Sequence, residues 1–200
     1  MATDDTGTAA AGECQIEAWG EGVDGVRAQV LAPACGLTDT LELDTAVSRI
    51  QGGGASLNGL VLGLRWVPDS AAWETGLGQV RLGIEGGVFW DRATGERWKV
   101  NAASLVALSS LEFASNWNLY ANLLTTRDLD TGTQVNGLRV ALAWPPDERV
   151  LLFVEALRAS DSSKLRNAGF RLWVIPEVLG LDVVTMGSAN GGLSFNLGFG

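Results

Sequence analysis

No histidine occurs in the 200 residues of this chain, and its absence removes the side chain most often used as a general base beside a serine or cysteine nucleophile. It also removes imidazole metal ligands. Two cysteines alone, Cys14 and Cys35, cannot close a zinc shell. No metal or cofactor is therefore expected. Glu42 and Asp44 stand at i, i+2, which puts both carboxylates on one face of a strand, as an acid/base pair would require. The same spacing arises wherever acids line an enclosed polar surface, and that reading is preferred, so no enzyme is expected. Gly52-Gly53-Gly54 lacks the lysine and following helix of a phosphate loop and reads as a turn.

The charged residues inside apolar-alternating segments show more order. Arg27, Arg65, Arg81, Arg139 and Arg171 fall on polar faces, as do Glu17, Glu42, Asp44, Glu85, Glu155 and Asp182, with Asn196 near the end of the chain. Arginine outnumbers lysine twelve to two, and its planar fork suits bidentate pairing with carboxylates. A fold that turned these faces toward one another would bring both signs together. Binding nucleic acid calls for a basic stripe; a formal net charge of −9 with dispersed arginines excludes that partner class.

Alternation of period two supplies the elements that would position these groups. Val80, Leu82, Ile84, Val88 and Trp90 share one face, against Gln79, Arg81, Gly83 and Glu85 on the other. Leu60, Leu62, Leu64 and Trp66 alternate with Gly63 and Arg65, and Leu138, Val140, Leu142 and Trp144 with Gly137, Arg139 and Ala141. Such alternation marks strands. About twelve are read, each of about nine to eleven residues, the length that crosses a bilayer at a tilt; ten is the fallback. They begin near Gln15, Val26, Leu41, Leu57, Gln79, Trp98, Trp117, Val135, Val150, Leu165, Leu179 and Gly191. No apolar run is continuous enough for a membrane helix.

Connections alternate in character. Ala114-Ser115-Asn116, Pro145-Pro146-Asp147-Glu148 and Pro176-Glu177 are tight, whereas 91–96, 129–133 and 160–164 are longer and polar. Charged residues are only 18% of the chain, lean for a soluble domain, and 26 glycines with 8 tryptophans exceed ordinary usage, consistent with many turns and aromatic girdles. Trp66, Trp117 and Trp144 mark one end of the strands and Trp90 and Trp98 the other, as two headgroup-level belts would require; the alternative is core packing at strand termini. Residues 1–13 read as a disordered lead-in without a signal peptide's basic and apolar regions, and 14–200 as one domain.

Asp24-Gly25 favours a two-residue type I′ turn. Cross-strand partners then sum to 49, as Cys14 and Cys35 do, at a pair where side chains approach closely. A disulfide, and with it an oxidising compartment, follows from that register; the alternative is two unpaired thiols. The register places Trp19 opposite Val30 and Ala18 opposite Leu31, so neither face of this hairpin is clearly polar.

The final segment, Asn190-Gly191-Gly192-Leu193-Ser194-Phe195-Asn196-Leu197-Gly198-Phe199-Gly200, sets Leu193, Phe195, Leu197 and Phe199 on one face and Ser194 and Asn196 on the other. It looks like the terminal signal strand of bacterial outer-membrane β-barrels, although that family usually ends on an aromatic residue and here Phe199 is penultimate. From Cys14 to Gly200 the chain resembles the small, short-looped members of this superfamily. The resemblance implies an all-β, closed, antiparallel up-and-down barrel in the outer membrane, surrounded by its lipid and delivered by the barrel assembly machinery through the last strand. Its lumen would be lined by Arg27, Glu42, Asp44, Arg65, Arg81, Glu85, Arg139, Arg171, Asp182 and Asn196. A small passive pore is the first expectation. A non-conducting structural or interaction barrel is the second, and a soluble lipocalin-like barrel with its apolar face inward is the third.

Overall fold

The computed structural model describes residues 5–23, 25–175, 178–186 and 192–199, the last of these as backbone only. The strands are β1 (Cys14–Val23), β2 (Val26–Thr38), β3 (Leu41–Gly52), β4 (Ala55–Trp66), a short β5 (Ala72–Glu74), β6 (Gly78–Ala93) and β7 (Lys99–Phe113). They continue as β8 (Asn118–Asp128), β9 (Gln134–Asp147), β10 (Val150–Ala159), β11 (Lys164–Ile175), β12 (Leu179–Met186) and β13 (Gly192–Phe199). Each long strand pairs antiparallel with its neighbour in sequence. β13 returns to pair with β1, and β4 pairs with β6, so twelve strands close into a ring with β5 added beside β6. Closure leaves the ring without a free edge.

Strand starts fall within about two residues of the positions read from alternation. Several strands run longer than a bilayer crossing needs, β6 over 16 residues and β7 over 15, because pairing continues past the apolar band. One connection differs from expectation, and another carries elements of its own. Pro145 and Pro146 end β9 rather than turning, and the reversal sits at 148–149 beside a register shift at Val150/Leu152; a proline is tolerated where the ladder is already interrupted. The link between Trp66 and Gly78 carries a 3₁₀ turn, Asp69–Ala71, and then β5, against Gln79–Arg81 of β6.

The first hairpin has the register that the Asp24-Gly25 turn demands. Cys14 opposes Cys35 and Val23 opposes Val26, and a disulfide joins the two cysteines across a Cα–Cα distance of 4.1 Å.

Facing follows from the closure. Leu60, Leu62, Leu64, Leu82, Ile84, Leu123, Leu138 and Val154 are exposed on the outer wall. Glu42, Asn122, Asp182, Glu155 and Asn167 are buried inside. This is the reverse of a lipocalin, whose apolar face encloses the ligand, and it corrects the soluble alternative: the large apolar groups meet the surroundings and the charges meet one another. The facing expected for Leu193, Phe195, Leu197, Phe199 and Asn196 lies outside the described side chains.

Inside, one wall is packed. Phe153, Ala143 and Val184 form a buried cluster against Tyr120 and Leu151. Residues 6–9 of the lead-in reach into the barrel mouth, with Thr6 buried, while residues 10–13 stay exposed at its rim. The bridge between Ala11 and Gly36 guides the segment in. Gly36 is needed there, since a Cβ would collide with the carbonyl oxygens of Ala9 and Ala10.

Candidate functional site: a charged lumen narrowed by the N-terminal segment

Register alone assembles the first part of the site. Glu42 on β3, Arg65 on β4 and Glu85 on β6 are direct cross-strand neighbours, so their side chains leave the wall together. Arg65 donates from Nε to Glu85 Oε2 at 3.1 Å and holds the same oxygen from Nη2 at 3.0 Å. Its Nη1 lies 3.5 Å from Glu42 Oε1 and donates to the Gly7 carbonyl at 3.2 Å. Glu42 has no exposed surface, and its Oε2 accepts the Ala9 N–H at 2.6 Å. One guanidinium thus binds two walls' carboxylates and the inserted segment.

A second hub stands across the barrel, since five strands separate β4 from β11 in either direction round the ring. Arg171 on β11 opposes Asp182 on β12 and donates to both its oxygens, from Nε at 2.6 Å and from Nη2 at 2.9 Å. The same Nη2 reaches Glu17 Oε1 on β1 at 3.3 Å, passing over β13. The bidentate geometry fits the planar fork. Arg171 also lies 5.2 Å over the Trp173 ring.

The N-terminal segment lies between the hubs. Thr6, itself buried, shares a 2.6 Å hydrogen bond with Ser110 of β7, and the bonds at Gly7 and Ala9 tie the segment to Arg65 of β4 and Glu42 of β3. Beside it remains a cavity of about 450 Å³, bordered by Asp5, Glu17, Arg65, Glu85, Arg171 and Asp182. It carries both signs of charge. A partly open, charge-bearing space of this kind passes or retains small polar species according to its narrowest level.

Of the expected lumen residues, Glu42, Asp44, Arg65, Glu85, Arg171 and Asp182 border this space or its wall. Arg81 also faces inward, donating to Gln79 Oε1 at 3.1 Å, and Arg139 lies half-buried opposite the buried Asn122. Arg27 does not belong with them. It pairs with Gly22, in phase with the exposed Leu31, so it stands on the outer wall beyond the apolar band, where solvent or headgroups can take its charge. The inward positions of β2 are instead Ala32, Ala34 and Gly36, whose small size admits the N-terminal segment.

Sequence reasoning missed that segment, whose Thr-Gly-Thr-Ala run carries no distinguishing pattern. It also missed Asn122 and Asn167. Asn167 opposes Glu155 and donates to it at 3.3 Å, but Asn122 sits between Tyr120 and Leu124, so its inward face reads as half apolar.

The expected girdle tryptophans are disposed at the two ends of the outer wall. Trp117 and Trp144 stack with centroids 5.5 Å apart and planes within 10°, and the exposed Trp66 closes β4 at the same end of the ring. At the other end Trp90 precedes Arg92, whose guanidinium lies 5.0 Å over the exposed Trp98 ring.

No family model and no curated protein sequence matches the chain. Solved structures do. The KdgM porin, in a structure described as a complex with disordered oligogalacturonate, superposes with a TM-score of 0.70 at 10% identity, over 93% of this chain and 98% of that one. The fold is that of a small outer-membrane β-barrel. The NanC porin is similar at a TM-score of 0.60 and 7% identity, over 94% of this chain and 100% of the other. The outer membrane protein Omp33 of Acinetobacter baumannii follows at 0.52 and 10% identity, over 94% and 97%. At these identities the likeness concerns the fold; the chemistry must be argued from this chain's own lumen.

Proposed function

We propose that this chain is an outer-membrane barrel acting as a small passive pore for ions or small solutes, narrowed at one end by its own N-terminal segment. The observation that carries the reading is the 450 Å³ charge-lined cavity between the two arginine hubs, inside a wall whose outer surface is apolar. The exposed leucines and end-placed tryptophans support lipid and its headgroups as the surroundings. The porin class of the neighbouring folds supports conduction over chemistry, and the last strand is the segment the assembly machinery would read.

A second reading, a non-conducting structural barrel, is favoured by one feature: Thr6, Gly7 and Ala9 fill part of the lumen beside the fully buried Glu42. Conductance across planar bilayers decides between them. The full chain is compared with Gly36→Leu, whose side chain would collide with the carbonyls of Ala9 and Ala10 and expel the segment, and with a chain lacking residues 1–12. Channel steps in the full chain that grow in both variants are the expected result. Silence in all three overturns the pore and leaves the structural barrel.

A further inference from the structure

The lumen holds only part of the chain's positive charge. On β10 and β11, Arg158 directly opposes Lys164 and Ala156 opposes Arg166. All three cations are exposed, in phase with the outward Val154 and Phe170, so they stand together on the outer wall at the end away from the termini. Directly opposed like charges destabilise a sheet. Among the described residues none of the three has an ion-pair partner. Between them runs a shallow groove of about 280 Å³, bordered by the three cations and floored by Leu138, Val140 and Ala156.

The same pattern recurs round the ring. Arg27, Arg49 and Arg92 occupy outward positions of β2, β3 and β6 at the same end, Arg49 facing Gln29 and Asn58, and Asn58 facing Arg92. Arg127 does so on β8, opposite Gln134. In a protein of net charge −9, no carboxylate among the described strand residues shares this outward band. Glu17, Glu42, Glu85, Glu155 and Asp182 all face inward. Two loop acids at this end have partners of their own, Asp130 with Lys99 at 2.6 Å and Asp161 with the Ser163 N–H at 2.9 Å.

We infer that Arg158, Lys164 and Arg166 form a binding site for the phosphate of a phosphorylated lipid headgroup in the outer leaflet, with an acyl chain of the same lipid in the groove that they border. An anion between Arg158 and Lys164 converts their repulsion into two charge-assisted hydrogen bonds. Arg166, two residues along the same face, is a diagonal neighbour of Arg158 at about 7–8 Å between Cα atoms, within reach of a second phosphate oxygen. Arg158 and Lys164 share a rung with Leu138, and Arg166 one with Ala156 and Val140, so the cations border the groove itself and their long side chains carry the charges toward the headgroup level. A free phosphate ion would use the cations and not the groove.

The inference rests on the proposed membrane location, and the experiment separates the two. Detergent-purified protein, with its fold verified by heat-modifiable migration, is incubated with a lipid A bearing two phosphates on its glucosamine disaccharide, or with the same lipid after phosphatase treatment. Bound lipid is counted by native mass spectrometry. The expected result is retention of the phosphorylated lipid, at least tenfold weaker in the triple variant R158Q/K164Q/R166Q and unchanged in Arg149→Gln, which lies in a turn at the opposite end. Equal retention of the dephosphorylated lipid, or full retention by the triple variant, overturns the site. Competition by millimolar inorganic phosphate equally effective on a headgroup analogue without acyl chains would reduce it to a bare anion site and overturn the groove's part. A chain that stays monodisperse without detergent would instead refute the membrane reading.

Discussion

Arg65 shows how one residue can hold several parts of this protein together. Its guanidinium meets Glu85, Glu42 and the Gly7 carbonyl while its side chain is only 13% exposed. Removing one partner of a buried charge set leaves the others uncompensated, which costs about 3–5 kcal/mol. Arg65→Ala is therefore expected to lower the urea midpoint of unfolding from lipid vesicles well below that of the wild type. Lys99→Ala, which breaks an exposed pair with Asp130, is expected to leave the midpoint unchanged, because solvent screens such pairs. Similar midpoints for the two variants would show that Glu42 finds water once Arg65 is gone. Arg65, Glu85 and Glu42 were legible in the sequence as alternating polar positions. Their meeting was not, since it depends on the registers of β3, β4 and β6.

At the scale of the strand, facing is set by a two-residue period, and a slip by one would exchange the two walls. Leu62 stands outside between Leu60 and Leu64, while its neighbour Val61 borders the lumen cavity. Leu62→Arg near the midplane should cost about 2–4 kcal/mol of insertion free energy, and Val61→Arg much less. The folded fraction after refolding into vesicles reads the difference; equal yields would contradict the facing. The first hairpin offers a second test. Its disulfide closes a sequence separation of 21 residues, and closing a loop of that order stabilises by about 3 kcal/mol in the chain-entropy account. Thiol titration of unfolded, unreduced protein is expected to find no free thiol, and reduction should lower the unfolding midpoint.

Seen whole, the molecule separates its charges by wall: carboxylates and four arginines inward, the remaining strand arginines outward at one end. If the lumen conducts, the side chains at its narrow level set ion preference. Arg81 faces inward without a carboxylate hydrogen bond of its own among the described contacts, so Arg81→Glu should shift reversal potentials under a salt gradient toward cations. An unchanged reversal potential would place Arg81 outside the conducting path. The arrangement also explains why a net acidic chain can present a cationic rim.

The strands, the facing of those with clear alternation and the first hairpin's register were all legible in the sequence. These depend on local alternation and on a two-residue turn, and period two leaves each strand only two choices of face. Arg81 and Leu62 could be assigned from neighbours alone. Tertiary structure decided the rest. Where a strand's pattern leaves neither face clearly polar, its facing is decided by the phase that pairing imposes, which is why Arg27, in phase with the exposed Leu31, stands outside. The N-terminal segment has no alternation to read, and its place beside Gly36 exists only after twelve strands have closed around it. The first arginine hub depends on the registers of β3, β4 and β6, and the second gains Glu17 of β1 only when β13 pairs with β1 and joins the two ends of the chain.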